Sequence, residues 1–426
     1  MTANQSTDSL IAWLPDLILT GGSFESGLAL ISDPSGKIAR LTRIDELKDE
    51  KKVPLPRRAL LPGMINAHSH AFQRVLRGRT EYRSHNMAFS GGLPPAEVNP
   101  GTTAGSRDSF WTWREMMYSA ATRLTPADIY DASRMAFLEM ALQGITAVGE
   151  FHYLHHQPDG TPYEDPNLLA KEVLRAAGDS GLRIALLRVA YARSGFQIAP
   201  NPRQARFIEQ DPEAYLQNLQ SLIDDVGRAR EPHASAWVGV APHSVRAVPL
   251  DYLHTVIEYA QKENLKTHMH IAEQPAEISA CVQEYGRSPV ALLQSEGLLN
   301  ANFTAVHAIH VTPKAIASFA NTGAMVCACP TTERNLGDGV VPAEEYLKHD
   351  VQICLGTDSH AQIDLLEDAR ELEYHLRLQK LERAVLSVER PTVREGSPPD
   401  QALPDGRASD LAALLFDCAT RSGARS

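Results

Sequence analysis

The sequence predicts an α/β fold: a (β/α)8 TIM-type barrel with a small β appendage from the N-terminal segment. Three observations predict it. Eight short runs of small and branched apolar residues follow one another between Leu60 and Asp358, each the length of a buried parallel strand. Most of the intervals between them carry helix-period segments, and strands alternating with helices imply a parallel sheet. Four histidines and an aspartate sit at or just past the ends of these runs, where barrel strands deliver side chains to one rim.

Taken in order, Leu14 to Leu41 reads as short strands broken by Gly21-Gly22 and by Asp33-Pro34-Ser35-Gly36, a hairpin-like punctuation. Residues 1–58 are therefore expected to form a small β domain. The barrel runs are Leu60–Ala67, Ile145–Phe151, Arg183–Ala190, Trp237–Pro242, Lys266–Ala272, Phe303–Ile309, Ala324–Pro330 and Gln352–Asp358. Thr125–Gln143 is a predicted helix, with Thr125 as N-cap and Pro126 in the first turn; Pro313–Asn321 opens the same way after Thr312. Two connections, Gln73 to Phe110 and Tyr191 to Arg230, are too long to be simple links and read as lids or specificity elements on the catalytic rim. The barrel is expected to span 59–388. The segment from Val388 is rich in Pro, Gly, Asp and Ser, and resumes a helical pattern only at Ser409–Ala419.

Composition narrows the function. Of the 426 residues, 43% are hydrophobic and 22% charged, as in an ordinary globular protein. A net charge of −11 with no dense basic run argues against a nucleic-acid partner. No stretch is apolar for long enough to cross a membrane, and the polar Met1–Leu10 lacks the pattern of a signal peptide. The five cysteines (Cys281, Cys327, Cys329, Cys354 and Cys418) follow no disulfide framework. Cys327 and Cys329 lie in an apolar run and read as buried thiols, so a reducing cytoplasm is expected.

His68 and His70 are two apart on a strand and face one side. His268 and His270 also share a face, and period alone does not choose between them. Glu273 lies three residues after His270, His307 in the sixth run, and Asp358 at the end of the eighth. Any one of them is satisfied as a hydrogen-bonded core residue. Together, imidazoles and a carboxylate gathered from remote stretches describe a metal site with an open position for water. Beside it, Glu273 can carry a proton to a leaving nitrogen, His307 can hydrogen-bond the attacking oxygen and Asp358 can take a proton from water. Arg246 follows the fourth run, and Arg114 begins a helix-like segment after the first long connection. Two guanidinium groups suit a substrate with two carboxylates. Trp111 and Trp113 read as packing anchors, and Glu333-Arg334-Asn335 as a charge network supporting the rim.

The strings Pro-Gly-Met-Ile-Asn-Ala-His-Ser-His (62–70), His270-x-x-Glu273, His307 and Gly-Thr-Asp358-Ser resemble the amidohydrolase superfamily in its mononuclear-zinc deaminase branch. Ala241-Pro242-His243-Ser244 stands where binuclear members keep a bridging lysine. The strings 68–74, 110–115, 150–156, 241–248, 270–274 and 329–339 narrow the resemblance to the formimidoylglutamate deiminase family. That resemblance implies zinc, or another divalent metal, on His68, His70, His270 and Asp358, one ion per chain. It implies catalytic roles for Glu273 and His307, and contacts to the glutamate part from Gln73, Arg114, Tyr153, His243 and Arg246. It also implies a homodimer, and hydrolysis of N-formimino-L-glutamate to N-formyl-L-glutamate and ammonia in histidine degradation. The family's C-terminal return into the small β domain is absent, so 389–426 is read as a divergent or truncated tail. Two alternatives stand beside this reading: a purine or pyrimidine deaminase of the same branch, and a metal-binding paralogue without turnover.

Overall fold

A computed structural model describes residues 10–80, 108–228, 235–387 and 406–426. The chain divides into two compact units, one built from residues up to Gly63 and one from Met64 onward. The first unit is a five-stranded sheet of β1 (Ile11–Thr20), β2 (Ser23–Glu25), β3 (Leu28–Ser32), β4 (Ile38–Arg43) and β5 (Lys51–Leu60). Gly21 and Gly22 take positive φ at the β1–β2 turn, which a side chain rarely tolerates. Ala12, Ala29 and Ile31 form its small core.

The second unit alternates strand and helix. Its order is β6 (Met64–Ser69), α1 (Phe110–Ala121), α2 (Pro126–Leu142), β7 (Ile145–His152), α3 (Leu168–Asp179), β8 (Arg183–Ala190), α4 (Pro212–Arg228) and β9 (Ala236–Pro242). Then come α5 (Leu250–Lys262), β10 (Thr267–Ile271), α6 (Pro275–Tyr285), α7 (Pro289–Ser295), β11 (Phe303–His307), α8 (Pro313–Thr322) and β12 (Met325–Ala328). Last are α9 (Pro330–Leu336), α10 (Ala343–Lys348), β13 (Ile353–Leu355), α11 (Leu365–Lys380) and α12 (Gly406–Ala419). Strands β6 to β13 form one eight-stranded parallel sheet in sequence order. It closes where Asp358 N–H donates to His68 O at 3.0 Å and His70 N–H to Asp358 O at 3.1 Å. The eight runs expected from sequence are these eight strands. The first is shorter than expected: Leu60 ends β5, and Pro62-Gly63 breaks the ladder before β6 because proline has no N–H to donate.

Helix starts follow their capping chemistry. Thr125 Oγ1 accepts the Asp128 N–H at 3.2 Å and Asp128 returns a carboxylate to the Thr125 N–H at 2.8 Å, a reciprocal cap for α2. Among the described residues no helix is long and apolar enough to cross a membrane. All five cysteines are buried, and none forms a disulfide among the described residues. The connection after β8 is not a loose lid: Arg206, Phe207 and Glu209 in its middle are buried. Arg206 Nε donates to His156 O at 2.9 Å, and Arg188 on β8 holds Glu209 with two hydrogen bonds. The connection Gln73–Phe110 lies mostly outside the described residues. The Ser409–Ala419 pattern falls within α12, which packs on α11.

Candidate active site

Strand ends bring His68, His70, His270 and Asp358 together, with one nitrogen or oxygen of each lying within 4.8 Å of the others. His70 Nε2 lies 3.1 Å from Asp358 Oδ1 and 3.4 Å from His270 Nε2; His68 Nε2 lies 3.3 Å from Asp358 Oδ1 and 3.1 Å from His270 Nε2. His70 Nδ1 donates to Phe151 O at 2.9 Å and His270 Nδ1 to His243 O at 3.2 Å. A carbonyl only accepts, so in the neutral rings both Nε2 atoms present lone pairs to each other. Lone pairs and a carboxylate aimed at one point need a cation between them. Such backbone tethers are also the usual way a protein fixes the ring of a metal-binding histidine. The donor set of three imidazoles and a carboxylate fits zinc and similar divalent ions. His268, the alternative left open by period, is buried on β10 but is not part of this cluster.

Electrostatics agree with the geometry. Burial pushes His68 down to about 4 and His270 well below its ordinary range, so both are neutral donors at neutral pH. Burial alone would raise Asp358, but its close neighbours His68 and His70 hold its carboxyl well below the usual carboxylate range.

The backbone leaves several strands abruptly. Ala272, His307, Asp358 and His360 all have positive φ, between 46° and 68° where His307 and Asp358 stand. Such conformations cost roughly 1–3 kcal/mol each in a side-chain-bearing residue and recur where a fold aims catalytic groups. Gly356 shows the same crowding. A Cβ built there would lie 2.7 Å from His68 Cβ and 2.8 Å from His68 O. Gly356→Ala is therefore expected to lower stability by about 1–3 kcal/mol and to weaken metal retention. Thermal melting together with metal content after dialysis checks both, and a variant that matches wild type in each would remove the close approach from the argument.

His307 Nε2 lies 3.7 Å from Glu273 Oε1 and 4.0 Å from Asp358 Oδ2. On its other side, His307 Nδ1 is 3.3 Å from Glu333 Oε1, which also accepts the Cys329 N–H at 2.8 Å. Burial opposes charge on His307, but Glu273, Glu333 and Asp358 outweigh it and push the imidazole up to about 10; a dication next to it works the other way. Burial raises Glu273 as well. Glu333 thus supports the rim, as its charge suggested, by accepting the Nδ1–H of His307 and fixing its ring.

A cavity of about 510 Å³ opens over this cluster. His70, His270, Asp358, Glu273 and His307 line one part of it, and Gln73, Arg114, Tyr153, His243 and Arg246 also line it; of the expected site residues only the fully buried His68 does not. Gln73 Nε2 donates to Tyr153 Oη at 2.8 Å, which leaves Gln73 Oε1 buried and unpartnered. Arg114 is on α1, with its guanidinium 4.4 Å from the centroid of Trp111 and 5.6 Å from that of Tyr118. Its Nε and Nη1 are buried with no hydrogen-bond partner among the described residues. Trp113 is a packing anchor, as expected; Trp111 packs on Phe110, ring centroids 5.1 Å apart, and its ring also faces the Arg114 guanidinium, an i,i+3 pairing on α1 that needed the helix phase to be seen.

Sequence reading missed the supports. Glu150 is buried on β7, accepting from Ser69 Oγ at 2.5 Å and the Ala71 N–H at 2.7 Å, so it clamps the segment that carries His68 and His70. Ser69 also meets His360 Nε2 at 3.0 Å, and His360 Nδ1 meets Thr357 Oγ1 at 3.1 Å beside Asp358. The signal available was a charged residue inside an otherwise apolar strand run.

The profile of the amidohydrolase family (Amidohydro_1) matches residues 59–402. The formimidoylglutamate deiminase of Pseudomonas aeruginosa is 39% identical over 326 residues, covering 76% of this chain and 66% of that protein, a little under two thirds of its length. The 5-methylthioadenosine/S-adenosylhomocysteine deaminase of Pyrococcus abyssi is 26% identical, covering 86% of this chain and 73% of that protein. Among solved structures, an amidohydrolase from Brucella melitensis superposes with a TM-score of 0.78 at 32% identity, over 98% of this chain and 82% of its own. With the parallel barrel and the rim cluster of three histidines and an aspartate in place, the chain belongs to the amidohydrolase family.

Proposed function

We propose that this protein is a metal-dependent deiminase that hydrolyses N-formimino-L-glutamate to N-formyl-L-glutamate and ammonia, a step of histidine breakdown. The observation that carries the substrate class is the cavity that Arg114 and Arg246 line together with His70, His270 and Asp358. Two cations suit two carboxylates, and the buried, unpartnered donors of Arg114 suit an anion better than a purine edge. The similarity to the Pseudomonas aeruginosa deiminase supports the same substrate.

His68, His70, His270 and Asp358 would hold the ion, with zinc as the expected metal. A divalent cation so held acidifies a water and polarises the carbon it attacks. The chain's residues do the rest. Arg114 and Arg246 bind the carboxylates, and Gln73 and Tyr153 orient the glutamate part with His243. Asp358 Oδ2 takes the proton of the attacking water. His307, held through Nδ1 by Glu333, hydrogen-bonds the attacking oxygen through Nε2. Glu273 delivers a proton to the imino nitrogen as the water adds, and Asp358 passes the water's proton to the same nitrogen; Glu273 then takes back the hydroxyl proton as the carbonyl forms and the C–N bond breaks, so that ammonia leaves.

Ammonia release from N-formimino-L-glutamate, guanine, cytosine and adenosine tests the reading in one screen. Turnover of the first is expected; turnover of a ring substrate alone would overturn it. Arg246→Met should keep the metal and lose about 2–5 kcal/mol of transition-state binding, roughly thirtyfold to several thousandfold in kcat/KM. Full activity in that variant would remove the dicarboxylate from the proposal.

A further inference from the structure

A second cavity, of about 280 Å³, adjoins the first. Arg246, His270 and Glu273 line both; Ser244, Gln274 and Glu277 line only the second. Glu277 is the buried acid that the proposed mechanism leaves unused. It is 6% exposed and stands in the first turn of α6. Its Oε2 accepts the Glu273 N–H at 3.1 Å, which satisfies the orphan donor before the helix. Its Oε1 is buried and has no hydrogen-bond partner among the described residues. Capping therefore accounts for one oxygen and not for the other. A buried carboxyl oxygen without a donor costs free energy unless a ligand supplies one.

The polar wall is built mostly of acceptors. Gln274 spends its amide nitrogen on Asp338 Oδ1 at 2.6 Å, which leaves its amide oxygen as the remaining polar end. Ser244 offers a hydroxyl, and Glu273 and Glu277 offer carboxyl groups; Arg246 is the cation among them. Such a wall suits a small cation that donates hydrogen bonds in several directions. The one such species the reaction makes is the nitrogen released next to Glu273, on the wall the two cavities share.

We infer that the second cavity receives the departing nitrogen as ammonium, with Glu277 as its carboxylate partner. Burial and the neighbouring Glu273 push Glu277 up to about 7, with Arg246 working against them. A protonated Glu277 can then give its proton to ammonia, the stronger base: the carboxyl O–H breaks, an N–H forms, and ammonium and carboxylate remain side by side. The nitrogen is thereby trapped away from the carbonyl carbon just formed. The inference rests on the proposed reaction only in that the reaction frees ammonia.

The test uses the metal-loaded full chain, with ammonium chloride compared against sodium chloride at equal ionic strength. Turnover is followed by substrate loss, and L-glutamate serves as the reference inhibitor of the first cavity. Ammonium is expected to inhibit wild type. Glu277→Gln should weaken that inhibition roughly tenfold, the worth of one charge-assisted hydrogen bond, while glutamate inhibition stays within about twofold. Glu277→Asp, which keeps the charge, should lie between. Equal ammonium inhibition in wild type and variant, or parallel loss of ammonium and glutamate inhibition, would overturn the assignment. A second measurement needs no substrate: ammonium should raise the melting temperature of wild type above its value in sodium, and should not do so for Glu277→Gln. A chain that turns over formiminoglutamate without that shift would sink the ammonium site alone. A chain that shows the shift but spares formiminoglutamate would sink the substrate and keep the site.

Discussion

Asp358→Asn is expected to cost this protein its metal and its turnover together. The substitution keeps the shape of the side chain and removes its charge. Asp358 Oδ1 lies 3.1 Å and 3.3 Å from the Nε2 atoms of His70 and His68, and Oδ2 points toward His307 at 4.0 Å. One carboxylate therefore faces the ion position and the proton path at once. Losing the only anionic ligand should weaken metal binding by more than about a hundredfold, since even outer supports of such sites are worth 10- to 100-fold. At saturating zinc, the missing base should still lower kcat by about a thousandfold. Competition with a chelator measures the first effect, and ammonia release at fixed free zinc the second. A variant that binds zinc like wild type would show that these four residues do not share one ion. One that binds weakly but turns over normally once loaded would take the base role away from Asp358.

The barrel and most of the candidate site were legible because both depend on short-range pattern. Strand runs such as Met325–Ala328 are apolar on both faces, which a parallel sheet covered by helices requires, and their ends mark the rim. His68 and His70 share a face by period alone. What period could not show was depth. His268 and His270 obey the same alternation, yet only His270 reaches the cluster, because the distance of each residue from the strand end decides it. Nor does sequence show which partner a polar residue finds across the fold. Glu150 and Ser69, or His307 and Glu333, meet only when elements 26 to 81 residues apart close on each other. The connection after β8 was legible only in part. Its length suggested a lid or a specificity element, and Phe207 does line the cavity, but length carries no sign of burial. Arg206 and Glu209 look like surface charges until the backbone carbonyls and the Arg188 guanidinium that satisfy them are in place.

That buried pair carries the largest stability effect expected outside the site. Arg188 is fully buried on β8; its Nη1 and Nη2 donate to the two Glu209 oxygens at 2.5 Å and 3.0 Å, and its Nε to Asn167 Oδ1 at 3.0 Å. Asn218 Nδ2 adds a fourth bond, to Glu209 Oε1 at 2.7 Å. Burial alone would raise Glu209, but His155 and Arg188 overcome it and bring the carboxyl to about 2. The folded value lies below the ordinary one of 4.5, so the pair's contribution is complete above that value and is lost as pH falls toward 2. The shift corresponds to about 3 kcal/mol. Glu209→Gln leaves a guanidinium buried without its counter-charge and is expected to cost about 3–5 kcal/mol at neutral pH. Replacing both partners by apolar residues, as in Arg188→Met with Glu209→Leu, should recover much of that loss, because the desolvation of both charges disappears with them. Urea unfolding followed by circular dichroism at pH 7 gives the first comparison. A series toward pH 3 gives the second, in which the gap between wild type and Glu209→Gln should narrow as the Glu209 carboxylate of the unfolded chain takes up its proton. Phe207, two residues before Glu209, lines the first cavity, so the single variant should also raise KM. A Glu209→Gln protein as stable as wild type, or a gap that holds constant with pH, would mean that the pair is fixed by packing and not by its charge.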